Sequence, residues 1–508
     1  MNPLAEARAL LPLWVRLFPW LAALSAGVLA YLLTRLAMRL ATRPLPAEPW
    51  TERARIAYAP RQLGQLSRIV WLAVSVIAAL AWPTGWATEA PAGAAALLVT
   101  FAWGLPAVAA LHFESRLRAL PMRRLLRSLT TSLVALQPGL FVMLVATPFA
   151  MLPGITGVVV AAAAHVTVAA LTIATGLPLG ARVGLAHPAS PRLQAVVARA
   201  AARTGVQVRR VYELDWSLAN AVAFPAVRTI AFTRPALEVL DDAELEAVAA
   251  HELGHLSEPL SSRLMRPALV IALAAIVLWG PRTFAFNLQN LLGALAVLAV
   301  LIFGTRFIGR GGEQHADATA KDEHGVYARA LETIYRVNLV PAVLRRPGIH
   351  GHLYDRLIAA GTTPSWPRPE PPRFAALPLR LLIALVPLAA LLTATTFRVS
   401  PAESVLQCEL ALALGDTQPW PPAQLAHLAG EAGRADDAVT FSRAAHQLAP
   451  SNVWVSAQLA AALAVAHRCT EAQTVLANTY QLALDRRLGA KTKAELDGAD
   501  ATVERLCR

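Results

Sequence analysis

The sequence predicts a mostly α-helical membrane protein with about eight spans, a small α+β domain and a C-terminal α-helical repeat domain. Hydrophobic residues make up 56% of the 508 residues and the mean hydropathy is +0.47, which is too apolar for an ordinary soluble protein of this length. Residues 183–263 are more polar, and they combine helical and strand-like patterns with a His-Glu-x-x-His sequence. Residues 399–508 are rich in Ala and Leu but polar enough to be soluble.

Apolar runs long enough to cross a bilayer recur along the chain, because a membrane helix needs about 20 residues. The first run lacks a convincing small-residue cleavage site, so we expect it to remain as an anchor. The number of spans stays open, because an apolar run can also form a buried or re-entrant helix. The expected spans centre on 17–34, 69–87, 92–112, 129–151, 154–178, 264–280, 287–304 and 379–397.

The apolar runs also set the expected domain boundaries. Two more polar segments on either side of a membrane hairpin form one discontinuous domain, and a last span connects it to the C-terminal domain. The boundaries are 1–182 for the N-terminal membrane domain with about five spans, 183–263 for the first part of the discontinuous domain, 264–306 for the hairpin, 307–378 for the second part, 379–398 for the last span and 399–508 for the C-terminal domain.

The net charge of +13 has a distribution that argues against a nucleic-acid partner. Arginines cluster at 35–68 and 116–127, whereas the loop at 88–92 has no basic residue. This is the positive-inside pattern. We therefore expect a bacterial inner-membrane protein in which 183–263 and 305–378 face the cytoplasm, while both termini and the C-terminal domain lie in the periplasm.

The small domain is predicted to contain helices and strands in alternation. The stretch 191–206 has apolar residues at helical spacing. The stretches 206–214 and 228–235 alternate like strands, and the second places Ile230 and Phe232 on one face.

The stretch DDAELEAVAAHELGH is predicted to form a helix that carries a metal site. Asp241 and Glu244 form a start that resembles a capping box. His251 and His255 are four residues apart on one helical face, so both can donate a nitrogen to one Zn²⁺. Glu252 is next to the first histidine and can act as a general base on water in the hydrolysis of a peptide bond.

A catalytic zinc needs a third protein ligand, and the stretch RGGEQHADATA at 310–320 offers one. We expect Glu313 to be this ligand, because two histidines and a glutamate are a common hydrolytic zinc set. His315 is the competing ligand. Asp317 is four residues after Glu313 on the same helical face, and it can orient a ligand histidine through a hydrogen bond.

The C-terminal domain shows a possible internal repeat. The stretch at 433–452 resembles the second helix of a tetratricopeptide repeat, and Ala438 recurs as Ala472 at the 34-residue period of that repeat. A plain helical bundle is the alternative. A repeat domain would bind a protein partner that the repeat itself does not specify.

All three cysteines, Cys408, Cys469 and Cys507, follow the last expected span. This placement suits a disulfide in an oxidising periplasm. Three inert thiols are the alternative, and the sequence does not choose a pair.

Four motifs, in order, resemble the HtpX-like and CAAX prenyl endopeptidase family of membrane zinc metallopeptidases. NAVAF at 220–224 resembles the family's substrate-side edge strand, and ELEAVAAHELGH at 244–255 resembles its catalytic helix. EQHAD at 313–317 resembles its Glu-x-x-x-Asp, and HGHLYDR at 350–356 resembles a later His-Pro-x-Leu-x-x-Arg element. The resemblance covers about 183–360.

The resemblance implies one zinc ion per chain, bound by His251, His255 and Glu313, with Glu252 as general base. It also implies that Asn220 and Ala221 belong to a strand whose main chain pairs with an extended peptide substrate.

The last motif implies that Arg356, together with His350, stabilises the oxyanion or orients the glutamate helix. A structural ion pair and a surface histidine are the alternatives. The sequence also departs from the family pattern: Gly351 stands where Pro is usual, and Leu260 stands where an acidic residue is common. Glu258 could supply the missing contact. More spans precede the domain than in HtpX, and the C-terminal domain is extra.

Together these features predict an integral-membrane zinc endopeptidase that acts on protein substrates in membrane-protein quality control or processing. One alternative is a BlaR-type sensor protease that cleaves a regulator. Another is a non-catalytic membrane scaffold with a structural zinc and a partner-binding repeat domain. Glu252 argues against the scaffold, because a structural zinc site has no use for a general base.

Overall fold

The chain is mostly helical and divides into two compact units. The smaller unit comprises Met1–Ala26, Ala73–Phe101 and Pro387–Arg508, and the larger unit comprises Gly27–Leu72 and Ala102–Val386. The computed structural model describes residues 2–46, 48–81, 89–150, 154–283, 304, 309–321, 325–345, 350–399, 405–413, 416, 418–484 and 489–508.

Helices dominate both units, and two short non-α turns interrupt them at Ser132–Leu136 (π-helix) and Pro225–Val227 (3₁₀-helix). The α-helices are Pro3–Ala9, Leu13–Ala41, Trp50–Ala81, Glu89–Arg118, Met122–Thr131, Pro138–Ala150, Gly154–Ala174, Leu177–Arg182, Pro191–Thr204, Arg234–Val239, Asp242–Leu256, Leu260–Thr283, 309–320, Val326–Asn338, Leu353–Ala359, Leu377–Val399, Val405–Ala413, Trp420–Glu431, Ala435–Leu448, Val453–Val465, Cys469–Leu484 and Ala490–Leu506.

The larger unit contains a mixed four-stranded sheet. Its strands are β1 (Ala186–Pro188), β2 (Arg210–Leu214), β3 (Ala221–Phe224) and β4 (Thr229–Thr233), in the order β1-β2-β4-β3. The pair β2 and β4 is parallel, and the other two pairs are antiparallel. The sheet order makes β3 an edge strand beside the fully buried β4. Both faces of β4 are therefore covered, whereas the alternation in the sequence predicts one covered face.

Two helices pack together beside this sheet. The helix Pro191–Thr204 begins at Ser190, whose side chain accepts a hydrogen bond from the Leu193 amide, and it ends at Gly205 in the left-handed conformation (φ +69°). Its apolar face shares one core with β4 and with the helix Asp242–Leu256. The sheet and this core hold the His-Glu-x-x-His helix in place.

Three segments in the described part of the chain are long and apolar enough to cross a membrane, namely Leu13–Ala41, Ile155–Ala174 and Ser262–Trp279. They coincide with the first, fifth and sixth predicted spans. The third and eighth predicted spans fall on the helices Glu89–Arg118 and Leu377–Val399, and the second falls on Trp50–Ala81 except for residues 82–87, which lie outside the described residues. Their crossing of a membrane stays a prediction, and so does the number of eight spans. The seventh predicted span, apart from residue 304, lies outside the described residues.

The fourth predicted span, at 129–151, is not one straight helix. The segments Met122–Leu136 and Pro138–Thr147 meet at an angle of 94°. Pro138 explains the break, because it has no backbone N–H and its ring clashes with the preceding turn of a continuing helix. The segment is therefore either a broken span or a re-entrant loop.

The smaller unit is built from helices that pack in sequence order. Two successive helix pairs begin at Trp420 and Val453, and the second helices of these pairs begin at Ala435 and Cys469. The helix pairs thus recur in step with the predicted period, while the tetratricopeptide assignment stays a prediction.

A disulfide and the N-terminal helix complete the smaller unit. Cys469 and Cys507 form the disulfide, which the sequence alone could not select, and Cys408 is buried. The helix Pro3–Ala9 packs against Ala435–Leu448 and contributes to the same apolar core. The N-terminal helix is thereby part of the C-terminal domain.

Candidate active site

The His-Glu-x-x-His helix and the helix at 309–320 cross at a glycine. A Cβ atom on Gly254 would lie only 2.7 Å from the Cα atom of Ala316, so the two backbones are closer than any larger residue permits. The first helix begins with a complete capping box formed by Asp241 and Glu244. The close crossing brings the two histidines of one helix to the glutamate of the other.

His251, His255 and Glu313 converge on one point. One possible ligand atom from each lies within 4.8 Å of the others. His251 Nε2 is 3.7 Å and His255 Nε2 is 3.4 Å from the nearest Glu313 carboxylate oxygen. All three residues are buried, with exposed fractions of 7–8%.

The far nitrogens of both imidazoles are held by carboxylates. His251 Nδ1 lies 3.1 Å from Asp317 Oδ1 and 2.8 Å from the Tyr327 hydroxyl. His255 Nδ1 lies 2.6 Å from Glu258 Oε1. An Nδ1–H that donates to a carboxylate leaves the Nε2 lone pair free to bind a metal. This donor set, with two imidazole nitrogens and one carboxylate, therefore fits a divalent metal such as zinc.

The charges around the site favour a bound cation. Burial raises the pKa of Glu313 and Asp317, but hydrogen bonds from the histidines, and from Arg356 to Asp317, hold the pKa of both carboxyls well below its usual range. Burial lowers the pKa of His255, but hydrogen bonds to Glu258 and Glu313 outweigh it and raise the pKa to about 10. The carboxylates thus stabilise a positive charge at this point, and a metal ion would bind in place of the His255 proton. The Glu313 and Asp317 carboxylates are therefore ionised at neutral pH.

Arg356 and His350 contact different carboxylates of the site. Arg356 donates to both oxygens of Asp317, at 2.9 Å and 2.7 Å, and to the Tyr327 hydroxyl at 2.9 Å. It thus anchors the helix at 309–320. The exposed His350 lies with Nδ1 2.7 Å from Glu313 Oε2. His315, the competing ligand, instead contacts the Ser257 hydroxyl at 2.9 Å and is outside the metal-ligand cluster of the described residues.

Glu252 and the strand β3 line one cleft of about 350 Å³ together with the three potential ligands. Glu252 is 7% exposed and follows His251 directly in the helix. Asn220 and Ala221 also line this cleft. The cleft therefore contains a possible metal site, a carboxylate beside it and a strand edge.

The pairing of β3 with β4 indicates which backbone groups face the open edge. The Thr233 amide donates to the Asn220 carbonyl at 3.0 Å. Hydrogen-bonded and non-hydrogen-bonded pairs alternate along an antiparallel ladder, and Ala221 pairs with Phe232 and Ala223 with Ile230. The amides and carbonyls of Ala221 and Ala223 thus point away from β4.

Three residues that position the site were not among the residues predicted to form it. Asn338 donates to the Ala219 carbonyl at 2.7 Å and accepts from its amide at 3.0 Å, which fixes the chain just before β3. Tyr327 and Tyr335 line the cleft beside Arg356. All three lie on the helix Val326–Asn338, and no local motif marks them. The sequence suggested Glu258 only as a substitute for the acidic residue that is common at position 260. Its position three residues after His255 was the signal that could have identified it as the partner of that histidine.

Residues 188–372 match the family model described as Peptidase family M48. Three similar proteins are each named "Protease HtpX homolog". The one from Methanothermobacter thermautotrophicus is 30% identical over 168 residues, which is 31% of this chain and 64% of that protein. The one from Thermoplasma volcanium is 32% identical over 154 residues, covering 27% and 48%. The one from Acaryochloris marina is 32% identical over 197 residues, covering 37% and 59%.

The chain thus spans about half to two thirds of the length of these curated relatives, and about a third of the chain is aligned. The residues matched by the family model, 188–372, include both histidines, Glu313 and the strand edge. This segment is similar to M48 peptidases.

Proposed function

We propose that the chain is an integral-membrane, zinc-dependent endopeptidase of the HtpX-like type. The observation that carries the proposal is the cluster of His251, His255 and Glu313 in one cleft with Glu252 and an open strand edge. The similarity of residues 188–372 to M48 peptidases supports it.

Different residues of the site bind the metal, orient its ligands and transfer the proton. His251, His255 and Glu313 hold one zinc ion, which when bound supplies a Lewis acid and lowers the pKa of water. Asp317 and Glu258 orient the two imidazoles through their Nδ1 atoms. The Glu252 carboxylate takes the proton from the attacking water and passes it to the leaving amine.

The substrate is an extended peptide segment that adds to the edge of the sheet. The outward amides and carbonyls of Ala221 and Ala223 bond its main chain, and Asn220 lines the same cleft. Main-chain pairing gives affinity with little dependence on sequence. The position of His350, beside Glu313 at the cleft, suits a role in stabilising the oxyanion.

The charge pattern and the apolar helices support the proposed cellular setting. The site faces the cytoplasm beside a bacterial inner membrane, and the substrates are membrane proteins that are processed or removed in quality control. The C-terminal domain, residues 399–508, lies in the periplasm, where its tetratricopeptide-like helices bind a protein partner. The packing of the N-terminal helix into the C-terminal domain supports the prediction that both termini lie on one side.

The proposal is tested by comparing the wild type with Glu252→Gln, both purified in detergent with zinc. We expect the wild type to cleave an unfolded reporter protein, and the variant to be slower by roughly 10²–10⁴-fold because it lacks the general base. Both should retain one zinc ion per chain in elemental analysis. Glu238→Gln is the matched control, because Glu238 is exposed and is not among the cleft residues. Equal cleavage by the wild type and Glu252→Gln would contradict the assignment of the base.

A further inference from the structure

A second cavity, of about 490 Å³, opens in the larger unit and shares no lining residue with the active-site cleft. It lies where three helices come together. Its walls are the last turns of Leu13–Ala41 with the loop that follows, the early turns of Trp50–Ala81 and the last turns of Glu89–Arg118.

The mouth of this cavity is strongly basic. Arg35 and Arg39 lie four residues apart on one helical face, Arg43 follows just beyond the helix end, and Arg116 faces them from another helix. None of the described lining residues is acidic. Like charges at this spacing repel one another. The nearby carboxylate of Glu114 bonds Arg61, at 2.6 Å and 2.8 Å. An anionic ligand would offset the repulsion.

The floor of the cavity is apolar. Met38, Ala57 and Ala109 line it, and each is only 2% exposed. Ile56 and Phe113 extend the same surface. A free phosphate ion would use only the basic mouth, whereas a ligand with both a phosphate and a hydrocarbon part would use mouth and floor together.

The position of the basic mouth agrees with such a ligand. Leu13–Ala41 is long and apolar enough to cross a bilayer, and two of its three arginines, Arg35 and Arg39, occupy its final turns. The end of a span is where lipid head groups lie, and basic pockets between spans bind anionic head groups. Arg35 is already oriented, because it donates to the Tyr31 hydroxyl at 3.1 Å.

We propose that this cavity binds one anionic phospholipid. Arg35, Arg39, Arg43 and Arg116 bond the phosphate of the head group, and the glycerol and upper acyl chain lie on the floor beside Met38 and Phe113. The site is distinct from the peptidase cleft and does not depend on the proposed activity.

The test is native mass spectrometry of the full-length protein in detergent with equimolar phosphatidylglycerol and phosphatidylcholine that have the same acyl chains. The wild type should retain one phosphatidylglycerol in preference to phosphatidylcholine. The Arg39→Gln/Arg43→Gln/Arg116→Gln variant should bind phosphatidylglycerol roughly a hundredfold more weakly, because each arginine near an anionic lipid contributes about fivefold in affinity.

Two further variants separate the site from charge in general and from loss of folding. Arg182→Gln/Arg203→Gln/Arg373→Gln removes the same charge from exposed positions outside the cavity, and it should bind within about twofold of the wild type. The charge-preserving Arg39→Lys/Arg43→Lys/Arg116→Lys variant should keep most of the affinity. Equal losses in the cavity and exposed glutamine variants would overturn the proposal, and so would full binding by the cavity glutamine variant.

Competition with inorganic phosphate at millimolar concentration distinguishes a lipid head group from a free phosphate ion as the ligand of this cavity. We expect it to leave the bound phosphatidylglycerol in place, because phosphate makes no contact with the apolar floor. Complete displacement by phosphate alone would overturn the lipid assignment in favour of a simple anion site.

Discussion

At the scale of single residues, the site depends on a small side chain as much as on its charged ones. Gly254 allows the two ligand-bearing helices to touch, because even a methyl group there would meet the Ala316 Cα atom at 2.7 Å. The motif His-Glu-x-x-His does not specify what occupies this position. Glycine is required at position 254 because a helix that lies about sixty residues later in the chain packs directly against it.

We therefore predict that Gly254→Ala lowers both stability and zinc affinity. Overpacking of this kind costs about 1–3 kcal/mol, and separation of the helices would move Glu313 away from the histidines. Thermal unfolding and competition with a zinc chelator measure the two effects. Gly311→Ala is the matched control, because a Cβ atom there meets nothing within 4 Å and alanine favours a helix. Wild-type stability and zinc binding in Gly254→Ala would show that the close crossing is not required.

At the scale of elements, the sequence predicted individual helices and strands well, but it did not predict which elements pack beside one another. The capping box at Asp241, and helix and strand stretches of the small domain, follow from local spacing, and the structure contains them. The order of the strands, with β3 at the edge and β4 buried on both faces, depends on contacts between distant segments. The same reason explains why Tyr327 and Asn338 were missed.

The edge strand leads to a prediction in which a substitution weakens substrate binding and leaves the metal site unchanged. Ala223→Pro removes an amide that points away from β4, so the sheet keeps its ladder while the substrate loses a hydrogen bond. We expect kcat/KM for an unfolded reporter to fall about tenfold, since one unmade hydrogen bond costs about 1–1.5 kcal/mol. Zinc content should be unchanged.

Val222→Pro is the contrasting variant, because the Val222 amide faces β4 in the alternating ladder. This variant should lower the thermal unfolding temperature as well as activity. If Ala223→Pro destabilised the protein as much as Val222→Pro, the deduced direction of the backbone groups would be wrong.

At the scale of the whole molecule, the N-terminal and C-terminal parts of the chain form one unit. Leu4, Ala7 and Leu11 are buried with Leu412 and Phe441, and Arg8 donates to the Leu412 carbonyl at 2.7 Å. Because residues that pack in one core lie on the same side of a membrane, this packing supports the prediction that both termini share a side. Hydropathy and charge predict the same placement, but the packing that ties the termini together was not visible in either pattern.

The disulfide in this unit provides a test of the side of the membrane on which both termini lie. Cys469 and Cys507 are 38 residues apart, so closing the loop should stabilise the unit by about 4 kcal/mol, and an oxidising compartment is needed to form the bond. We expect a membrane-impermeant thiol reagent to label intact cells only after reduction, and Cys469→Ser/Cys507→Ser to abolish this labelling and lower the unfolding temperature of the smaller unit. Cys408→Ser is the control, because Cys408 is buried and is not part of the pair. Labelling that requires lysis of the cells would place the unit in the cytoplasm and reverse the predicted orientation of the whole chain.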